Sequence, residues 1–321
     1  MNNKPANQTL VYRAKNIVTM DRNKPAATHV AVREGKILAV GGKDCAAPWG
    51  DFTKDDRYAD KVLLPGFVEG HAHLLAGAMW EYMYAGAQDR IDPNGKLWPG
   101  LTDIVDVISG LKKTEASLPA DKPVIAWGFD PIFLPTERLN KNHLDEVSKD
   151  RPIVVIHSNL HLMTVNSAAL KMAGYTRDTN VEGLERFSDG EPNGELQEMA
   201  VMFPIMRRLG IDFGALARTE KAMLAFGKTA QRVGVTTCTD LFNDLPDDDV
   251  AALLSVTGKD DYPLRIVPAL NGMGDSVEAL VAHVKELRKK STDRLRLGAV
   301  KLMTDGSIQG YTARLKWPGY L

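Results

Sequence analysis

The chain has 321 residues, 44% apolar and 25% charged, with forty basic side chains against forty-one acidic ones. This composition excludes a disordered, collagen-like or coiled-coil chain, and the near-neutral balance offers no basic footprint for nucleic acid and no acidic tail. Cys45 and Cys238 are too few for a disulfide framework, the polar first residues lack a signal peptide's apolar run, and no run reaches the ~18 apolar residues of a membrane span. A cytoplasmic, reducing setting with no nucleic-acid or membrane partner is expected. At roughly 150 residues per domain, about two domains are expected, with room for a ~250-residue barrel.

Residues 9–64 read as short strands. Residues 10–12, 16–19, 29–32 and 36–40 are β-rich, with turn signals at 21–25, Glu34-Gly35 and Gly41-Gly42 between them. Their spacing predicts a small β-sandwich or sheet, assigned to residues 1–62. Residues 62–68 read as a buried strand that runs into His71-Ala72-His73. In the stretch 76–216, Thr102 is expected to cap a helix with Ile104, Val105, Ile108 and Leu111 inward. Residues 124–127 and 153–156 read as buried strands, and 189–194 as a hairpin or turn. From residue 218 the pattern turns regular. A helix carries Met223, Phe226, Ala230 and Val233 on one face; strand 235–240, a helix from about Asp247 and strand 265–270 follow. A helix opening with Asp275-x-x-Glu278 is expected to hold Val277, Leu280, Val281, Val284 and Leu287 inward, before strand 297–303. This alternation predicts βα units and a parallel sheet.

Two places carry chemistry. In a strand, residues i and i+2 share a face, so His71 and His73 on a strand could hold one metal. Seven histidines give roughly 0.15 such pairs by chance, so the spacing alone is weak; its place at a strand end strengthens it. Lys301 lies in an apolar strand before Thr304-Asp305-Gly306-Ser307. Alone it reads as a strand-end lysine reaching for solvent, because a buried lysine needs a partner or a covalent modification.

Several ordered motifs extend this pattern. They are Leu64-Pro65-Gly66-Phe67-Val68-Glu69-Gly70-His71-Ala72-His73, Ala126-Trp127-Gly128-Phe129-Asp130, His161-x-x-x-Val165-Asn166-Ser167-Ala168-Ala169-Leu170, Asp189-Gly190-Glu191-Pro192-Asn193-Gly194-Glu195-Leu196-Gln197-Glu198, Gly234-Val235-Thr236-Thr237 and Val300-Lys301-Leu302-Met303-Thr304-Asp305-Gly306-Ser307. Together they resemble the metal-dependent amidohydrolase superfamily, in the branch of imidohydrolases and N-substituted formamide deformylases. The resemblance implies an α/β fold, a (β/α)8 TIM-type barrel with a β-sandwich built from both chain ends. Residues 63–321 would supply the first half of that barrel, interrupted after its first strand by an α/β insertion at 76–216. His71 and His73 would be metal ligands. Lys301 would be carbamylated and bridge two divalent metals, usually zinc, and a metal-activated water would attack the carbonyl of a small amide or N-substituted formamide. The insertion would cover the site, making Trp127, Asp130, His161 and Asn166 substrate-pocket residues. Asp130, His157 and Glu198 could orient ligands, while Asp305 would fix the loop after its strand.

The resemblance also implies histidines on the fifth and sixth strands and an aspartate on the eighth. His143, His157, His161 and His283 precede Lys301 or lie in other elements, so none fits. The expectation is an N-terminal part of a longer hydrolase of non-peptide C–N bonds. The competing reading is a barrel relative without catalysis that binds or assembles. An open half barrel would expose strand edges and apolar faces, favouring self-association into homo-oligomers.

Overall fold

The computed structural model describes residues 8–134, 137–274, 276–306, 308 and 313–320. Asp275 and Ser307, named above, lie outside them. The chain divides into two compact units, Met1–Phe67 and Val68–Leu321.

The first unit is one four-stranded sheet. Strands β1 (Thr9–Val18), β2 (Ala26–Arg33), β3 (Lys36–Gly41) and β4 (Phe52–Leu63) lie in the order β3-β2-β1-β4. The β1–β2 and β2–β3 pairs are antiparallel, and β4 runs parallel to β1. Alternation places Ala14, Ile17, Ala27 and Val30 in one apolar cluster and Val11, Ala31 and Ala46 in another. Of the expected sandwich or sheet, these residues build a single sheet, because β4 extends the free edge of β1 instead of starting a second layer.

The second unit opens with β5 (Phe67–Glu69), whose first residue falls on the division, followed by α1 (Leu75–Ala78). Next come β6 (Met83–Tyr84), the small hairpin β7 (Arg90–Ile91) and β8 (Leu97–Trp98), α2 (Ile104–Ser117), β9 (Val124–Phe129), α3 (Lys141–Asp145), β10 (Ile153–His157), β11 (Leu162–Val165), α4 (Ser167–Ala173), β12 (Leu184–Arg186), β13 (Pro192–Gln197) and α5 (Met199–Arg208). Six of these strands form one sheet, β12-β13-β11-β10-β9-β6. Strands β6, β9 and β10 are parallel, while β11, β12 and β13 add antiparallel pairs. Every residue of β9 and β10 is buried, because both faces of the sheet are covered. Ile125, Trp127, Val154 and Ile156 enter one cluster, and Val124, Ala126, Ile153 and Val155 the other. Burying each such large side chain stabilises the fold by roughly 1.5–3 kcal/mol before entropy is counted. A bulge at Gly128 shifts the register, so Phe129 pairs with His157. Gly128 has φ +87°, and a Cβ there would stand 2.7 Å from the Tyr84 ring.

The chain continues through α6 (Phe213–Ala217), α7 (Glu220–Arg232), β14 (Val235–Asn243), α8 (Asp247–Thr257), β15 (Arg265–Asn271), α9 (Val277–Lys289) and β16 (Ala299–Lys301). The sheet order is β16-β15-β14-β5, with β14, β15 and β16 parallel, as the βα alternation predicts. This is a parallel half-barrel sheet.

Several sequence expectations shift. Leu64, Phe67 and Val68 are 57, 52 and 70% exposed, so residues 62–68 are not one buried strand. Pro65-Gly66 splits the run, and β5 is an edge strand. Asp103, not Thr102, caps α2 by accepting from Val105 N–H at 2.7 Å; Ile104, Ile108 and Leu111 face inward as expected, with Val107 in place of Val105, which is exposed. In α9 the inner stripe is Leu280, Val284 and Leu287, which leaves Val277 and Val281 exposed. Val233 follows the end of α7 and is exposed. Among the described residues no helix is long and apolar enough to cross a membrane.

Candidate metal centre

The polypeptide leaves β5 at Glu69 and turns before α1, so His71 and His73 sit on a turn and not on the strand itself. Their rings nevertheless meet, with centroids 5.6 Å apart and planes at 72°. Glu69 Oε1 accepts the His71 N–H at 2.9 Å. The end of β14 holds the rest of the turn. Thr239 Oγ1 accepts from Ala72 N–H at 3.3 Å, and Ala72 O accepts from Leu241 N–H at 3.0 Å.

The His73 ring is fixed as well. Its Nδ1 lies 3.0 Å from the Leu241 carbonyl oxygen. A carbonyl only accepts, so Nδ1 carries the hydrogen, and in the neutral ring the lone pair belongs to Nε2. Burial pushes the His73 pKa down; Asp240 and the Leu241 bond oppose this, and His71 and Lys301 add to it. A neutral imidazole with its outer nitrogen bare is the state a metal ion requires.

Lys301 ends β16, half-buried, and its carbonyl accepts from Gly272 N–H at 3.0 Å. In the sheet order β16-β15-β14-β5 it stands on the edge strand opposite β5, and its charge is felt at the His73 ring, where it lowers the pKa. Among the described residues no three His, Cys, Asp or Glu side chains come together as a cation site. Beyond β16, Asp305 accepts from Arg314 N–H at 3.1 Å and from the Thr304 hydroxyl at 3.4 Å.

The remaining sequence candidates belong to the six-stranded sheet. His161 precedes β11 and Glu198 follows β13, and the Leu162–Gln197 register sets them side by side. His161 Nδ1 lies 2.9 Å from Glu198 Oε2, and the Glu198 N–H donates to His161 O at 2.7 Å. Glu198 Oε1 is buried without a partner, and the backbone there has φ 70° and ψ 161°, a region glycine alone adopts readily. Trp127 Nε1 is also buried and unpartnered, with the ring packed edge-on against Trp80 at 5.0 Å. Asp130 caps a short 3-10 turn through Ile132 N–H, and its other oxygen accepts from the Ser158 hydroxyl at 3.1 Å.

Asn166 stands apart from the expected pocket. It is fully buried, and its Oδ1 accepts from Ile153 and Ala169 N–H while its Nδ2 donates to the Ser148 and Arg151 carbonyls. All its ordinary hydrogen-bonding capacity is spent on backbone. His157 is buried beside Phe129, bonded to Thr164 at 2.9 Å, with its pKa pushed down to about 4 by desolvation.

Sequence reasoning passed over Asp240 and Arg218. Both are buried, and Arg218 Nη1 donates to Asp240 Oδ2 at 2.9 Å. The available signal was a carboxylate closing the strand run Val235-Thr236-Thr237-Cys238-Thr239-Asp240.

The chain is 31% identical over 314 residues to the Exoenzymes regulatory protein AepA of Pectobacterium carotovorum subsp. carotovorum, a match covering 93% of this chain and 64% of AepA. It is 34% identical over 131 residues to allantoinase of Streptomyces avermitilis, covering 37% and 27% of the two chains. Its fold is similar to that of an uncharacterized metal-dependent hydrolase from Pyrococcus horikoshii OT3, with TM-score 0.57, 16% identity, and coverage of 94% of this chain and 55% of that one. The chain therefore spans less than two thirds of the length of each of these proteins. The model of the amidohydrolase family matches residues 59–319, and on that match the chain belongs to the amidohydrolase family.

Proposed function

We propose that the protein hydrolyses carbon–nitrogen bonds other than peptide bonds in small amide-type molecules, such as amides or N-substituted formamides. The carrying observation is the His71–His73 turn, where the Leu241 carbonyl fixes one ring nitrogen and leaves the other bare beside a second imidazole. His71, His73 and a carbamylated Lys301 would hold one or two divalent ions, with zinc the expected metal. A cation bound there supplies Lewis acidity toward a substrate carbonyl and an attacking water. Carbamylation would turn the amine into an anionic oxygen donor, which answers the lack of a third ligand. Trp127, Asp130 and His161 are the substrate contacts we propose, with Glu198 orienting His161 through Nδ1. Asp305 keeps the loop after Lys301 in place. Cys45 and Cys238 are free thiols, consistent with a reducing, cytoplasmic compartment.

The test is metal content by mass spectrometry, paired with turnover of a panel of amides and N-substituted formamides. Bound zinc is expected, with both metal and turnover lost in His71→Ala and Lys301→Ala. A metal-free protein with undiminished turnover would overturn the proposal. A second reading, a barrel relative that binds instead of hydrolysing, draws on the incomplete cation site among the described residues. Metal-independent binding of a partner by a protein inert toward the whole panel would favour it.

A further inference from the structure

We propose that Asp240, locked by Arg218, is the positioning residue for the His71–His73 turn; this rests on the metal-site reading above. Three consecutive residues of β14 serve three consecutive residues of the turn. Thr239 receives Ala72, Leu241 is bonded to both Ala72 and His73, and Asp240 between them accepts the Leu74 N–H through Oδ1 at 2.8 Å. Fixing that amide fixes the peptide plane leaving His73, the backbone from which the Leu241 carbonyl then holds the ring. The second carboxylate oxygen belongs to Arg218. The guanidinium also donates to Asn243 Oδ1 and, at 3.3 Å, to Asp249 Oδ2 near the start of α8. The carboxylate thus cannot rotate away from Leu74 without giving up a charged partner.

The burial of the pair argues for a task beyond stability. Its side chains are 7% and 3% exposed. Buried ion pairs repay their desolvation poorly, and apolar replacements of both partners are often neutral or stabilising. A fold needing only cohesion here is served as well by apolar residues, whereas a carboxylate aimed at the amide after His73 serves the turn. Groups that orient metal ligands typically contribute 10–100-fold to metal affinity.

The experiment uses the full chain as wild type, Asp240→Asn, the double variant Arg218→Met/Asp240→Leu, and Glu286→Gln as a control. Zinc affinity is read by competition with a chromophoric chelator, folding by circular dichroism, and the His73 ring by 15N chemical shifts in metal-free protein. Asp240→Asn is expected to fold and lose at least 10-fold in zinc affinity. The double variant leaves neither charge of the pair buried alone but orphans the Leu74 N–H, so its fold is confirmed first; it is expected to lose as much, and in both the His73 Nδ1–H signature weakens. Glu286→Gln, which removes an exposed α9 pair with Lys289, leaves affinity unchanged. Wild-type zinc affinity in the folded double variant, with unaltered His73 shifts, overturns the proposal. If wild type binds no zinc, the metal-site reading fails, and the His73 shifts alone decide whether Asp240 orients the ring.

Discussion

Asn166→Ala separates a residue that holds the fold from one that touches substrate. The substitution deletes the acceptor for two buried amides, Ile153 N–H and Ala169 N–H, and the donors for the Ser148 and Arg151 carbonyls. Ala169 N–H is the capping bond of α4, worth about 1 kcal/mol. Ile153 is fully buried, and an orphaned amide there costs about 1–3 kcal/mol. The two carbonyls lose one partner each and add less. The total is on the order of 3–4 kcal/mol, a large part of a typical stability of about 5–15 kcal/mol. Urea unfolding followed by far-UV circular dichroism should show the midpoint falling by that equivalent. Asn166→Asp keeps the acceptor but turns a buried carboxylate oxygen onto the Ser148 and Arg151 carbonyls, and should lose at least as much. An unchanged midpoint in Asn166→Ala would refute the reasoning and return Asn166 to the pocket candidates.

The remaining expectations concern other strained or buried positions. His157 has a native pKa of about 4 against an ordinary 6.5. Its protons therefore favour the unfolded chain: the cost is absent above pH 6.5, grows as pH falls, and is complete near pH 4. At about 1.36 kcal/mol per pH unit, roughly 2 kcal/mol of stability is lost between pH 7 and pH 5. His157→Gln should flatten that slope in urea titrations at the two pH values, and an equal slope would contradict it. Glu198→Gly relieves a backbone conformation costing about 1–3 kcal/mol, whereas Glu198→Ala keeps it. Both lose the half-exposed His161 pair, so the glycine variant should be the more stable by about 1–2 kcal/mol; equal midpoints would remove the claim of strain. In Gly77→Ala the new Cβ would stand 2.0 Å from the Ala222 carbonyl oxygen of α7. Overpacking of about 1–3 kcal/mol is expected in thermal or urea unfolding, and a stability equal to wild type would show that α1 shifts freely.

Much of the architecture was legible in local pattern. Continuous apolar runs marked β9 and β10, because strands covered on both faces carry no polar alternation. The βα alternation after residue 218 announced the parallel strands β14, β15 and β16. Motif order is what singled out His71, His73 and Lys301 as the proposed metal ligands. Which apolar residues of α2 and α9 face inward depended on neighbours distant in sequence. That is why Val105, Val277 and Val281 point outward.

The sequence by itself determined which residue types stand at the strand ends, since spacing and side-chain chemistry are local properties. Only the tertiary structure decided what holds them. Leu74 meets Asp240 across 166 positions, and His73 meets Leu241 across 168. Such pairings depend on which strands become neighbours, which the cooperative packing of the sheet selects and no stretch of chain specifies alone. The same reason converted Asn166 from a pocket candidate into a clamp, because its four partners come together only when β10 and α4 are folded against each other.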